Sequence, residues 1–172
     1  MTSRITQFID KMLLQSEKNY ALKIIEKFFN IGIPFNQSHN FQYIELTDNK
    51  TLVKLPFIKA NKNHLGGIHA CAIATLGEYS AGLTLVKKYG NSKYRIVMKD
   101  LKVEFDKQAK ENLYGEVIPS SDIFQQGEKE LKETSKGLFK LHTKIKNEED
   151  IVIANVYTTW QLKNWKQVTF KK

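Results

Sequence analysis

The residues best suited to chemistry fall in one stretch, NHLGGIHACAIATLGE, from Asn63 to Glu78. Glu78 is the only charged side chain between positions 68 and 86. A lone carboxylate in an apolar run is costly unless it is paired or faces a cleft. Two readings follow: a structural Glu held by hydrogen bonds, or a general base or nucleophile in a buried pocket. Ahead of it, Gly66 and Gly67 permit a tight approach, and the first turn of a helix leaves several backbone N–H groups unpaired. The N–H groups of Ala70 and Cys71 would point at a carbonyl or anion lying there and can stabilise a developing oxyanion. His69 and Glu78 are nine positions apart, about two and a half turns at ~3.6 residues per turn. They therefore lie far apart on one helix. In a two-fold dimer, the Glu of one subunit would face the helix start of the other.

Other chemistry is poorly supported. His39, His64 and His142 have no second His or Cys at ligand spacing, so no metal site is expected. Cys71 reads as a small hydrophobe in a buried helix rather than a nucleophile. Ser80 in GEYSAG narrowly misses the nucleophile-elbow spacing. No Walker or dinucleotide glycine motif occurs. Trp160 and Trp165 read as strand-packing residues.

These residues need a scaffold. The run around Glu78 is apolar on nearly every side and rich in Ala and Gly, which predicts a central helix buried all round by a closely wrapped sheet. A membrane span is rejected, because Glu78 sits mid-run and strands flank it. Upstream, Ile5, Phe8, Ile9, Met12 and Leu13, then Tyr20, Ile24, Ile25, Phe28 and Phe29, follow helical spacing around a polar break at 15–18. Gly32 and Pro34 end that pattern. These helices are expected to pack on the body of the domain, with a membrane-surface helix or a partner-binding arm as the alternative. Residues 41–57 alternate as two strands around Asp48–Asn49–Lys50. After the helix, residues 94–105, 113–119, 138–145 and 151–162 read as strands. The polar stretch 120–137 reads as a short helix or a long loop, and 164–172 as an edge or tail. The layout is α+β: an N-terminal helical extension over 1–33 and one domain over 34–172, with a long helix against an antiparallel sheet of about five or six strands.

Composition agrees with one globular domain of 172 residues, 41% hydrophobic and 26% charged. A single cysteine and the absence of a signal-peptide-like apolar core in MTSRITQFIDKMLLQ point to the cytoplasm. The net charge of +9 is carried by scattered lysines without a DNA-binding motif, so no nucleic-acid partner is expected.

The stretch NHLGGIHACAIATLGEYSAGLTL resembles the central motif of the hotdog-fold thioesterase superfamily, in the style of the phenylacetic-acid-pathway and human acyl-CoA thioesterase thirteen branches. VMKDLKVEFDKQAKENLYGEV is similar to that family's strand pair, with Lys107, Gln108 and Ala109 where Arg-Pro-Ala is frequent. The paired N-terminal helices and IPFNQSHNF resemble a bacterial branch of these proteins. The resemblance implies a hotdog fold and an acyl-CoA thioesterase. Glu78 would be base or nucleophile, Ala70 the oxyanion N–H, Asn63 a positioning group at the catalytic end, and His69 the holder of the loop and helix start. Gly67 and Cys71 would border the substrate, and Lys59, Lys62 and Arg95 would meet nucleotide phosphates. It also implies acyl-CoA bound at a homodimer interface, often in a dimer of dimers, with no cofactor beyond the coenzyme A of the substrate. The sequence departs from the pattern at Ala70 and Cys71, where glycine is common, and at Glu78, where many relatives have Asp. The departures at Ala70 and Cys71, with the unassigned helices over 4–30, keep open a non-catalytic acyl-CoA- or lipid-binding protein; a dehydratase or hydratase on the same fold ranks lower, since those usually carry a His/Asp or His/Glu pair at different spacing.

Overall fold

The computed structural model describes residues 4–168. Two helices come first, α1 (Arg4–Leu13) and α2 (Asn19–Gly32), followed by a 3-10 turn over Pro34–His39. Strands β1 (Gln42–Leu46) and β2 (Thr51–Leu55) form a hairpin. The long helix α3 (Ala70–Tyr89) follows, then β3 (Tyr94–Phe105), β4 (Leu113–Val117), α4 (Ser121–Thr134), β5 (Lys136–Lys146) and β6 (Val152–Asn164). All strand pairs are antiparallel, in one six-stranded sheet of order β1-β2-β4-β5-β6-β3. The edges are β1 and β3, and β3 pairs with β6 alone.

The sheet grips α3 by alternation. Phe139, Leu141 and Ile145 of β5 and Ala154, Val156, Trp160 and Leu162 of β6 turn inward and are buried, as period-two patterning requires. The helix lies so near the sheet that a Cβ on Gly77 would fall on the Val156 side chain. Thr143 Oγ1 donates to the Gly77 carbonyl at 2.9 Å, and the Thr84 hydroxyl donates to that of Thr51 at 2.9 Å. Position and rotation of α3 are thereby set from both halves of the sheet.

The N-terminal helices belong to the same packed core. Ile9, Met12, Leu13, Ala21, Leu22, Ile25 and Phe29 join the cluster that includes Phe41, Tyr43, Leu76 and Tyr79. Polar anchors fix α1. The Asp10 carboxylate accepts from the N–H groups of Asn91 and Ser92 at 2.9 and 3.0 Å. The adjoining Gly90, at φ +70, leaves room that a Cβ would take from that carboxylate. Buried Lys87 donates to the Leu13 carbonyl at 3.0 Å, and Ser16 Oγ donates to the Leu46 carbonyl. For α2, the Glu26 carboxylate accepts from the Tyr43 N–H at 2.6 Å, and Asn30 Nδ2 donates to the Phe41 carbonyl at 2.8 Å.

Three expectations need correction. α3 is not buried all round: Cys71, Thr75, Glu78, Gly82 and Val86, spaced three or four apart, form a stripe that the single chain leaves partly open. Cys71 is exposed rather than buried, because it lies in the first turn, before the sheet closes over the helix. Trp165 is not in a strand. It lies in a 3-10 turn after β6, largely exposed, with its indole N–H donating to the Asn91 carbonyl. The stretch 120–137 holds a helix of 14 residues, α4, stable despite Gly127 because Phe139 packs against that glycine. The expected edge or tail begins with the last residue of β6 and this 3-10 turn, and its final part, 169–172, lies outside the described residues.

Candidate active site

The loop entering α3 is organised by two asparagines. Asn63 Oδ1 accepts from the N–H groups of Leu65 and Gly67 at 2.9 and 3.1 Å, and its Nδ2 donates to the Ile68 carbonyl at 3.4 Å. The Asn63 N–H donates to the Gly67 carbonyl at 2.8 Å, closing a tight turn in which Gly66 takes φ +76. Asn61 is fully buried. Its Nδ2 donates to the carbonyls of His39 and Pro56, its Oδ1 is 2.8 Å from His39 Nδ1, and its own carbonyl accepts from the His69 N–H. Sequence reasoning passed over Asn61, since an asparagine in a polar loop carries no signal of burial. The Ala109 carbonyl receives the Ile68 N–H at 2.9 Å, so the loop is held from a second side.

His69 is the N-cap of α3, and its Nδ1 accepts the Cys71 N–H at 3.0 Å. This corrects the expectation that Cys71 would offer a free donor: the capping histidine occupies that N–H, as N-caps do. The Ala70 N–H has no partner among the described residues, and Ala70 is exposed. One backbone donor thus stands open at the positive end of a 20-residue helix.

Glu78 lies eight positions beyond Ala70, a little over two turns and roughly 12 Å along the axis at ~1.5 Å per residue. Its carboxylate is half-buried and has no hydrogen-bond or ion-pair partner among the described residues. Burial pushes its pKa from 4.5 to about 7, because the apolar surroundings disfavour the charged form. The carboxyl borders an open cleft of about 220 Å³ between α2, α3 and the β3–β6 edge, lined otherwise chiefly by apolar side chains such as Phe29, Val86, Ile96 and Trp160. Behind it, Tyr79 stacks on Phe41 with centroids 4.8 Å apart, and the Tyr79 and Tyr43 hydroxyls share a hydrogen bond. Burial raises the pKa of the Tyr79 phenol, which keeps it neutral. A carboxyl that titrates near neutrality beside an apolar cleft suits proton transfer or nucleophilic attack.

The structure does not bring all the sequence candidates together. Asn63, Gly67, His69, Ala70 and Cys71 form one group at the helix start, and Glu78 stands apart from them on the same chain. Lys59 is exposed on the turn Lys59–Asn61, and the Lys62 ammonium lies 3.7 Å from the Phe57 ring centroid. Arg95 is on the outer face of β3. None of these three cations lines the cleft with Glu78.

The family described as a domain of unknown function (DUF4442) matches residues 22–162. The chain belongs to that family. No curated protein matches the sequence. Among solved structures, this DUF4442 chain is similar to a Pseudomonas aeruginosa protein of unknown function named a probable thioesterase, with 22% identity, TM-score 0.73, and 83% of this chain and 95% of that chain covered. It is also similar to a protein with unknown function from Chlorobaculum tepidum, with 11% identity, TM-score 0.70 and coverage of 91% and 95%. A mutant of a Staphylococcus aureus thioesterase enzyme matches at 16% identity and TM-score 0.61, with 76% and 98% covered. The shared fold is the hotdog fold: one long helix embraced by an antiparallel sheet. Among the described residues, no helix is long and apolar enough to cross a membrane.

Proposed function

We propose that this chain hydrolyses acyl thioesters, with Glu78 as the reacting carboxylate and coenzyme A as the thiol half of the substrate. The observation that carries the reading is Glu78 itself, half-buried, unpartnered and titrating at about 7 beside an apolar cleft. The names of two structural neighbours point the same way. In the water-attack form, ionised Glu78 takes a proton from water as the oxygen adds to the thioester carbonyl. The oxyanion is met by the Ala70 N–H. The C–S bond then breaks, and the thiolate takes the proton back from Glu78. In the nucleophilic form, ionised Glu78 adds to the carbonyl, the C–S bond breaks and coenzyme A leaves as the thiolate, which takes a proton from water; water then cleaves the resulting anhydride, releasing the carboxylic acid and restoring Glu78. Neither form needs a cofactor beyond the substrate's own coenzyme A.

Both forms require two copies of the chain, since Ala70 and Glu78 of one chain are too far apart to hold one carbonyl. Two features support a two-fold dimer. One is the open stripe on α3. The other is the free edge of β3, where Leu101 and Phe105 are 39% and 51% exposed. Pairing β3 with its symmetry mate would extend the sheet and set the two α3 helices side by side. The single cysteine fits the cytoplasm.

Free-thiol release from a panel of acyl-CoAs tests the reading, with Glu78→Gln and Glu78→Ala beside the wild type. Loss of turnover by about 100-fold or more is expected in both variants. Undiminished hydrolysis in both would remove Glu78 from the mechanism. Binding without turnover by the wild type would leave an acyl-CoA-binding protein in place of an enzyme.

A further inference from the structure

The cleft beside Glu78 is directional. On α3 its wall follows Glu78, Tyr79, Gly82, Leu83 and Val86, which is one face of the helix read at successive turns. From Glu78 to Val86 that wall runs about 12 Å at ~1.5 Å per residue. The side chains between the two ends are apolar apart from the Tyr79 hydroxyl, which Tyr43 engages. Trp160 forms the floor. It can lie close to the helix because position 82 is glycine, where a Cβ would stand 3.1 Å from the indole. The roof comes from outside the sheet and its helix: Phe29 and Ile33, at the C-terminal end of α2.

This roof is fixed before any ligand arrives. Glu26 and Asn30 tie α2 to the backbone of residues 41–43. Asp10 of α1 holds the backbone of Asn91, which lines the cleft beyond Val86. A preformed apolar slot with the reacting carboxylate at one end and a pinned loop at the other measures the length of what enters it.

We infer that this slot is the acyl-chain subsite, that it takes an unbranched apolar acyl group of medium length, and that Phe29, Ile33 and Val86 set the limit. The inference rests on the thioesterase reading for the chemistry at Glu78, but its binding half stands without turnover. An extended chain of single bonds advances about 1.2 Å per bond, so a slot of about 12 Å matches roughly eight to ten carbons. Each methylene that enters contributes about fourfold in affinity, the equivalent of ~0.8 kcal/mol. Chains beyond the limit gain nothing or lose.

The test pairs binding with turnover. Non-hydrolysable S-alkyl coenzyme A thioethers, from ethyl to hexadecyl, are titrated against the full chain by calorimetry, and the matching acyl-CoAs are assayed for thiol release. Affinity should climb about fourfold per methylene and level off near octyl to decyl. Val86→Phe, which fills the far end, should move the plateau to shorter chains. Ile33→Ala, which thins the roof, should move it to longer chains. These opposite shifts keep the result readable, since a merely destabilised variant would weaken all lengths together, and circular dichroism of both variants checks their folding. Affinity or kcat/KM independent of chain length, or a plateau that neither substitution moves, would overturn the inference while leaving any observed hydrolysis intact. A length-dependent affinity with no hydrolysis would do the reverse: the slot would stand and the thioesterase reading would fall.

Discussion

Replacing Glu78 with glutamine keeps the side-chain shape and removes the ionisation, so it isolates what the half-buried charge costs the fold. In the native chain Glu78 titrates at about 7, against 4.5 for an unhindered glutamate. That gap corresponds to about 3 kcal/mol, an upper figure because the group borders an open cleft. The direction follows from proton counting. Between pH 4.5 and about 7 the native carboxyl keeps its proton while the unfolded one has lost it, so the native state binds more protons and stability falls as pH rises. The loss is complete above about 7. Glu78→Gln has no such loss. Urea unfolding of both proteins at one fixed protein concentration, at intervals from below pH 4.5 to above pH 7, should show the variant overtaking the wild type by up to about 3 kcal/mol at the upper end. The two should nearly coincide at the lower end. Parallel profiles would refute the reasoning. A variant that loses ground at high pH would also refute it, since that would mean the carboxylate is favourably paired. The same titration predicts thioester hydrolysis rising with pH through about 7.

Gly77→Ala forces a methyl group onto Val156 and should cost about 1–3 kcal/mol by overpacking, seen as a lower urea midpoint; an unchanged midpoint would show that the sheet yields. Asn63→Ala strips the acceptor from the N–H groups of Leu65 and Gly67 and should cost about 1–3 kcal/mol. Because that turn leads into the helix start, kcat should also fall by roughly tenfold or more with a smaller change in KM. Equal kcat values would separate the turn from the chemistry.

Much of this architecture was legible because hydrophobic period and burial agree. The run after Gly67 reads as a long helix against a sheet, and the alternation in residues 138–145 and 151–162 matches the inward and outward faces of β5 and β6. What failed did so for local reasons. Counting apolar residues made α3 look enclosed, since Ala74, Gly82 and Val86 are apolar whether they meet a sheet or an open groove. Cys71 was judged by its neighbours in sequence rather than by its place in the first turn. The helix start and Glu78 were both singled out in the sequence, yet the wall that joins Glu78 to α2 was not, because nothing in FFNIGI says that Phe29 and Ile33 lie over a carboxylate forty-odd positions later. The donor set also proved smaller than the helix start alone suggests, since a histidine cap consumes one N–H.

The contacts made by α1 bear on where this chain tolerates cutting. Family similarity begins at Leu22, inside α2, and a fragment begun there would look like a whole domain by alignment. It would lack the Asp10 carboxylate that satisfies two backbone N–H groups of the loop after α3, and the Leu13 carbonyl that accepts from Lys87. Lys87 is 8% exposed; its remaining partner, Asp48 at 3.5 Å, is itself a surface side chain. The first cost of trimming would therefore appear more than sixty positions downstream, as a loosened loop at the far end of the cleft. The N-terminal helices are a clasp on the half that carries Glu78 and its cleft, and proteolysis ahead of residue 14 would act as a remote lesion of the candidate site.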